Sequence, residues 1–151
     1  MITYQVEKWQ DCNSEMAYLW PKHWKQVAMN QDKVPLDPDY EQYQKLQNDG
    51  ALHVVTCRHD GKLVGYHITI VRTHLHYKGT LFGMTDVYFI DNEYRNGWTG
   101  IRLFREVERS LKKRGVKVLT TGTKLSIDMS SISRYLRWVN SENLFIKYIG
   151  D

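Results

Sequence analysis

Cysteine, proline and long apolar runs are all scarce in this chain. Its two cysteines, Cys12 and Cys57, cannot build a disulfide framework and read as reduced thiols of a cytosolic protein. Three prolines and ten glycines exclude collagen-like and linker-rich chains. No apolar run approaches the roughly 18–20 residues of a membrane-spanning helix, and the opening MITYQVEKWQD lacks the apolar stretch of a secretory signal. A cytoplasmic location without a membrane partner is therefore expected. A strong charge of one sign is missing too: 21 basic against 17 acidic residues leave +4. That balance suits an anionic ligand without demanding nucleic acid. There is no internal repeat, low-complexity tract or linker.

What is present points to one folded domain spanning residues 1–151. Chains of this length bury about 68–70% of their unfolded surface, and 42% hydrophobic with 25% charged residues excludes disorder. Aromatic residues make up 13%, more than a small core needs, and an aromatic-lined cleft is one outlet for the excess.

Periodicity divides the chain. Ile2 to Val6 alternates as a short strand. Residues 14–30 carry Met16, Leu19, Trp20, Trp24, Val27 and Ala28 at near-helical spacing, with Pro21 expected to kink the segment or start a second helix. Residues 33–38 are a loop, and Asp39 to Asn48 is a polar helix stopped by Gly50. Period two then takes over. Leu52–Arg58, Leu63–Thr73 and Leu81–Asp91 read as strands joined by turns at Asp60-Gly61 and Lys78-Gly79. Residues 98–114 place Ile101, Phe104, Val107 and Leu111 on one helical stripe, and Gly115 ends it. Val116–Thr121 is a strand, which makes a βαβ unit with parallel strands. A helix at 128–137 and a strand at Leu144–Ile149 complete the chain. The expected class is α/β (α+β), with one mixed, mostly antiparallel sheet of six to seven strands and helices on both faces.

The stretch Asp91–Gly100, DNEYRNGWTG, carries the chemical signal. A strand ends, a loop bears Arg95, Gly97 and Gly100, and a helix begins. A helix start offers free N–H groups and a positive dipole end that hold phosphate. Arg95 adds a fixed charge with fork geometry. A plain glycine-bearing connection is the other reading of this spacing.

From Asp86 to Lys124 the sequence resembles the acyl-CoA-binding core of the GCN5-related N-acetyltransferase (GNAT) superfamily. That family's loop has Arg or Gln, two residues, Gly, one residue, then Gly or Ala. It stands here as Arg95-Asn96-Gly97-Trp98-Thr99-Gly100, with Trp98 in place of the middle glycine. Tyr94 before the Arg is family-like. The closing segment, from Leu136-Arg137-Trp138 through Glu142 to Phe145-Ile146-Lys147, resembles the family's ending, with Arg137 and Trp138 where Gly and Phe are usual. The front segment, from His23-Trp24 to Gly65-Tyr66, resembles small phage and bacterial members.

The resemblance implies acetyl-CoA as acyl donor, with no metal. Acetyl-CoA would lie in a V between the strands at 86–91 and 116–121. Its pyrophosphate would sit on the amides of Asn96, Gly97, Trp98, Thr99 and Gly100, next to Arg95. Its pantetheine would pair with the backbone of Val87, Tyr88, Phe89 and Ile90. The amine acceptor, a small molecule or a protein, would enter from the other side of the sheet. A homodimer is left open.

Asp86 is the general-base candidate. By simple alternation it shares a strand face with Phe82, Met84, Tyr88 and Ile90, an apolar setting that raises a carboxyl pKa toward the range of a useful base. A structural acid at a strand irregularity is the competing reading. Tyr135 is the general-acid candidate, yet the family's register for that tyrosine falls on Ser133, and Tyr135 also reads as core. Ser133 is the second candidate to hold the thiol. His74 and His76 share a strand face. Two histidines are too few for zinc, so a substrate-facing role is expected. His23 and Trp24, with Trp20, are candidates to line the acceptor pocket, or are core at i,i+4. The basic run Arg102–Arg114 is a solvated helix face.

The leading function is therefore an acetyl-CoA-dependent N-acetyltransferase working by direct attack in a ternary complex. Cys57 has no His–acid arrangement beside it to make it a nucleophile. The alternatives are an inactive CoA- or partner-binding protein of the same fold, and a basic nucleic-acid-binding module.

Overall fold

The period-two segments pair into one sheet in the computed structural model, which describes residues 1–151. Its strands are β1 (Ile2–Glu7), β2 (Leu52–His59), β3 (Lys62–His74), β4 (Tyr77–Ile90) and β5 (Val118–Thr120), lying side by side in chain order. The first four pair antiparallel, and β4 with β5 parallel. The helices are α1 (Trp9–Val27), α2 (Tyr40–Asn48), α3 (Thr99–Lys113) and α4 (Ser130–Leu136). The β2–β3 hairpin turns on Asp60 (φ 48°) and Gly61 (φ 85°), the two positive φ values of a tight right-twisting hairpin.

Each sheet face has its own core. α1 buries Trp9, Cys12, Met16, Leu19 and Trp20 against Leu52, Val54, Tyr66, Ile68 and Phe89. α3 buries Leu103, Val107 and Leu111 against Val55, Cys57, Val64, Val71 and Ile90. α1 starts earlier than its expected residue 14, because Trp9 and Cys12 extend the same buried stripe. Pro21 does not divide it. Leu19, Trp20 and His23 are buried on either side of the proline, and that packing outweighs the one backbone hydrogen bond a proline removes.

The sheet has five strands, not six to seven. Leu144–Ile149 does not close it as a strand, and no regular structure follows Leu136. A strand needs a neighbour's backbone groups to pair with, and β5 offers an edge of only three residues. Leu144, Phe145 and Ile149 stay almost fully exposed.

α4 ends at Arg137, whose φ of 58° and ψ of 38° are left-handed. The family-usual glycine adopts that conformation freely. A side chain there costs about 1–2 kcal/mol. Arg137→Gly should therefore stabilise the protein by about 1 kcal/mol, net of glycine's greater freedom when unfolded. The urea midpoint is the measurement, and no rise would contradict this account of the helix end.

Candidate active site

β5 pairs only with Phe82–Met84 of β4, while β4 runs on to Ile90. Past Met84 and Thr120 the pairing stops, and that side of β4 has no strand partner. This opening lies where the V was expected. One residue beyond its vertex, the Thr121 hydroxyl is buried without a hydrogen-bond partner.

The β4–α3 loop closes the far end. Asn96 organises it. Its Oδ1 accepts from the Trp98 and Thr99 amides at 3.3 Å and from the Thr99 hydroxyl at 2.8 Å, an Asx turn just ahead of the helix. The Asn96 amide donates to Tyr94 O at 3.0 Å. The expected run of phosphate-binding amides is thereby corrected. The amides of Asn96, Trp98 and Thr99 are already engaged, whereas those of Gly97, Gly100 and Ile101 donate to no protein acceptor. Gly97 has open space where a Cβ would stand, and a Cβ at Gly100 would sit 3.3 Å from Ile132. The loop thus keeps three free donors at the positive end of α3, the arrangement that suits an anion.

Arg95 is anchored rather than free. Its Nε donates to Ile90 O at 2.6 Å, an Nη donates to Gln26 Oε1 at 2.7 Å, and the guanidinium lies 5.2 Å over Phe89. Partial burial lowers its pKa, though a guanidinium stays charged. Arg95 ties the loop to the end of α1 and places fixed positive charge behind it.

Asp86 sits on a β-bulge. Thr69 pairs with Thr85 and Ile68 with Val87, so Asp86 is the extra residue. The bulge breaks the alternation assumed from sequence, because an inserted residue shifts the pleat by one. Val87 packs against the α1 core. Ile90 belongs to the α3 core, and Tyr88 lies edge-on to Phe104 at 5.2 Å. Asp86 therefore shares its face with Phe82, Met84 and Val87, not with Tyr88 and Ile90. Its carboxylate is exposed and accepts a hydrogen bond from the Tyr43 hydroxyl of α2. Burial, then the Asp86 charge, pushes the Tyr43 pKa up, so Tyr43 remains a donor. Beneath the bulge, the buried His67 lies 3.3 Å from the Thr85 hydroxyl and 3.1 Å from that of Thr69.

Nothing in the sequence links Tyr43 to Asp86, since only the packing of α2 on the sheet joins residues so far apart. From sequence only the amide of Asn96 was expected to act; an Asn just ahead of a helix start is the signal for the turn its side chain makes.

The remaining candidates fall into three places. Tyr135 is half-exposed, 5.0 Å from Trp98, beside the loop. Ser133 gives its hydroxyl to Ser130 O at 3.1 Å. Both lie on α4, whose start is tied to the V by the Tyr88 hydroxyl, 3.6 Å from Met129 Sδ. His23 is buried, 2.8 Å from the Tyr66 hydroxyl and stacked on Phe89; it is a core residue. Trp24 is half-buried on the same helix, while Trp20 is core. His74 and His76 lie 5.5 Å apart at the tip of the β3–β4 hairpin, and no third metal-ligand side chain joins them.

Two other chemistries fail on geometry. Burial pushes the Cys12 thiol up to about 12 and the Cys57 thiol up to about 11, so neither supplies a thiolate near neutrality. A cavity of about 470 Å³ lies elsewhere, between β2 and α3, and holds a His53–Ser110 pair. Arg114 contacts His53 Nδ1 at 3.2 Å. A guanidinium only donates, so Nδ1 accepts and Nε2 carries the proton. Nε2–H then donates to Ser110 Oγ, which donates to Glu106 O at 2.6 Å. His53 in that tautomer cannot draw a proton from Ser110.

The fold recurs in solved structures. Ribosomal-protein-alanine N-acetyltransferase from Brucella melitensis biovar Abortus 2308 superposes with a TM-score of 0.73 at 17% identity, covering 100% of this chain and 99% of that one. An aminoglycoside acetyltransferase from an uncultured soil metagenomic sample, in complex with sisomicin, gives 0.71 at 14%, covering 99% and 97%. Glucosamine-6-phosphate N-acetyltransferase from Arabidopsis thaliana gives 0.71 at 11%, covering 98% and 99%. At these identities the likeness is one of fold. No curated protein matches the sequence. The family pattern described as Acetyltransferase (GNAT) family matches residues 7–139, a span holding the V, the loop and the bulge, and the chain belongs to that family.

Proposed function

We propose that the protein is an N-acetyltransferase that moves the acetyl group of acetyl-CoA to a primary amine by direct attack in a ternary complex. The observation that carries this reading is the end of β4–β5 pairing at Met84 and Thr120. It leaves a slot with free amides at one end and a carboxylate at its vertex.

The pyrophosphate takes the amides of Gly97, Gly100 and Ile101, with Arg95 behind them. The pantetheine pairs with β4 from Val87 to Ile90. At the vertex Asp86, held by Tyr43, takes a proton from the ammonium group of the acceptor. The amine nitrogen bonds to the thioester carbonyl carbon and sheds its second proton, the carbon–sulfur bond breaks, and the CoA thiolate takes up a proton. Tyr135 is the proposed donor, with Ser133 as the second candidate on the same helix. The inert thiols Cys12 and Cys57 support transfer without an acyl-enzyme.

Saturating acetyl-CoA should raise the melting temperature, because a ligand that binds only the folded state stabilises it by about 3 kcal/mol at one hundred times its Kd. A melting curve unmoved by acetyl-CoA would remove the donor from this reading.

A further inference from the structure

We propose that the acceptor amine is the free N-terminus of a polypeptide, laid in extended form along the uncovered part of β3 and β4. An aromatic or acidic side chain among its third to fifth residues is its recognition feature. The inference rests on the acetyl-transfer reading of the Asp86 site and names that site's substrate class.

The helices α1 and α2 cover their face of the sheet only as far as Ile68 and Val87. Beyond lies a strip in which Ile70, Arg72 and His74 of β3 stand opposite Met84, Phe82 and Tyr77 of β4. Phe82, Met84 and Asp86 alternate on this face. Gly83 between them turns toward Thr69, Leu111 and Leu119 of the other face. The strip therefore begins at the carboxylate and runs away from it.

Its surface is a built aromatic platform. The rings of Phe82 and Tyr77 stack at 5.8 Å and 11°, and His74 lies 5.1 Å from Phe82 and 5.2 Å from Tyr77. Arg72 flanks it, with an Nη 3.5 Å from Met84 Sδ. Tyr77 is 57% and Met84 39% exposed. Contiguous exposed apolar surface of this kind marks an interaction site.

Charge and length choose the occupant. Between Gly61 and Ile90 the only acid is Asp86, while Arg72 and Lys78 have no carboxylate partner. A polyamine or an aminoglycoside would bring several cations against those two. A free arylethylamine holds its ring two carbons from the nitrogen. Because Asp86 is the extra residue of the bulge, it and Phe82 stand about three strand residues apart, about 10 Å at about 3.3 Å per residue. An extended peptide with its α-amine at Asp86 spans that distance at about its fourth residue. Its aromatic ring then meets Phe82, Tyr77 and His74, or its carboxylate meets Arg72.

The test is thiol release and mass shift on a panel. It contains heptapeptides with free N-termini carrying Phe, Glu, Lys or Gly at residues three to five, together with spermidine, kanamycin and tryptamine. Peptides bearing Phe or Glu should be acetylated at the α-amine. Phe82→Ala should raise KM for the Phe peptide about tenfold with little change in kcat, as loss of an aromatic contact does. Arg72→Glu, a surface change, should invert the preference between Glu and Lys peptides. The acetyl-CoA melting shift should survive in both variants. Acetylation of spermidine, kanamycin or tryptamine in preference to every peptide would overturn the inference and leave the acetyl-transfer reading intact. So would acetyl-CoA binding with no peptide acetylated. Failure of acetyl-CoA to bind would overturn the acetyl-transfer reading itself.

Discussion

Asp86→Asn should lower turnover about 10²–10⁴-fold, the usual scale for a general base, while acetyl-CoA affinity changes little. An amine acceptor is mostly protonated at neutral pH and must lose a proton before it attacks the thioester. Asp86 stands at the vertex of the β4–β5 opening on a bulge, with its carboxylate exposed and oriented by the Tyr43 hydroxyl. Asn keeps the shape and the hydrogen bond but cannot take a proton. The deficit should shrink as pH rises and the amine deprotonates without help. Tyr43→Phe, which removes the hydrogen bond that orients the carboxylate but keeps the carboxylate itself, should cost less than Asp86→Asn. The checks are pH–rate profiles with an accepted amine and calorimetric binding of acetyl-CoA. Unchanged turnover in the Asn variant would make Asp86 a structural acid of the bulge.

A fall from pH 7.5 to pH 5 should cost the fold roughly 6 kcal/mol through three histidines. His23, His53 and His67 are all buried. Burial is the main cause that pulls His23 and His53 from 6.5 down to about 4, and His67 down to about 3. Arg95 adds to the effect at His23, Arg114 at His53, and His53 at His67. Between these values and 6.5 the unfolded chain binds more protons than the folded one. Stability is thus complete above about pH 6.5 and is lost progressively as pH falls toward 4. At pH 5 each histidine contributes about 2 kcal/mol of that loss, and the sum rivals the whole stability of a typical domain, about 5–15 kcal/mol. Urea midpoints at the two pH values measure it, and His53→Gln should make the dependence shallower. Equal midpoints would show that these imidazoles carry protons within the fold.

The local devices of this fold were legible in the chain. Alternation marked the first four strands, the Asp60-Gly61 turn joined two of them, and the apolar stripe with Gly115 behind it marked α3. The loop from Arg95 to Gly100 was legible too, because glycines and a fixed charge at a helix start have a meaning that depends only on neighbours. Arg137 was legible as well: it stands where glycine is usual, and the chain takes the left-handed turn regardless.

Local pattern could not decide the relations between distant segments. Strict alternation placed Asp86 with Tyr88 and Ile90. The bulge that turns it to the other face depends on how β3 and β4 register, which no single strand contains. Trp20 and Trp24 read as core or as acceptor pocket until α1 packed on the sheet, which buries Trp20 and leaves Trp24 half-buried. His23 passed for a cleft residue until Tyr66 supplied its partner. Asn96 spends its side chain on the Trp98 and Thr99 amides, so which donors stay free depended on the loop's closed geometry. The closing strand read from Leu144–Ile149 failed for the same reason: strand propensity belongs to a segment, whereas pairing requires an edge long enough to receive it. The sequence by itself determined the first four strands, α3, the glycine-bearing loop ahead of it and the family. Only the tertiary structure decided which face Asp86 occupies, that Tyr43 holds it, and that an aromatic strip leads away from it.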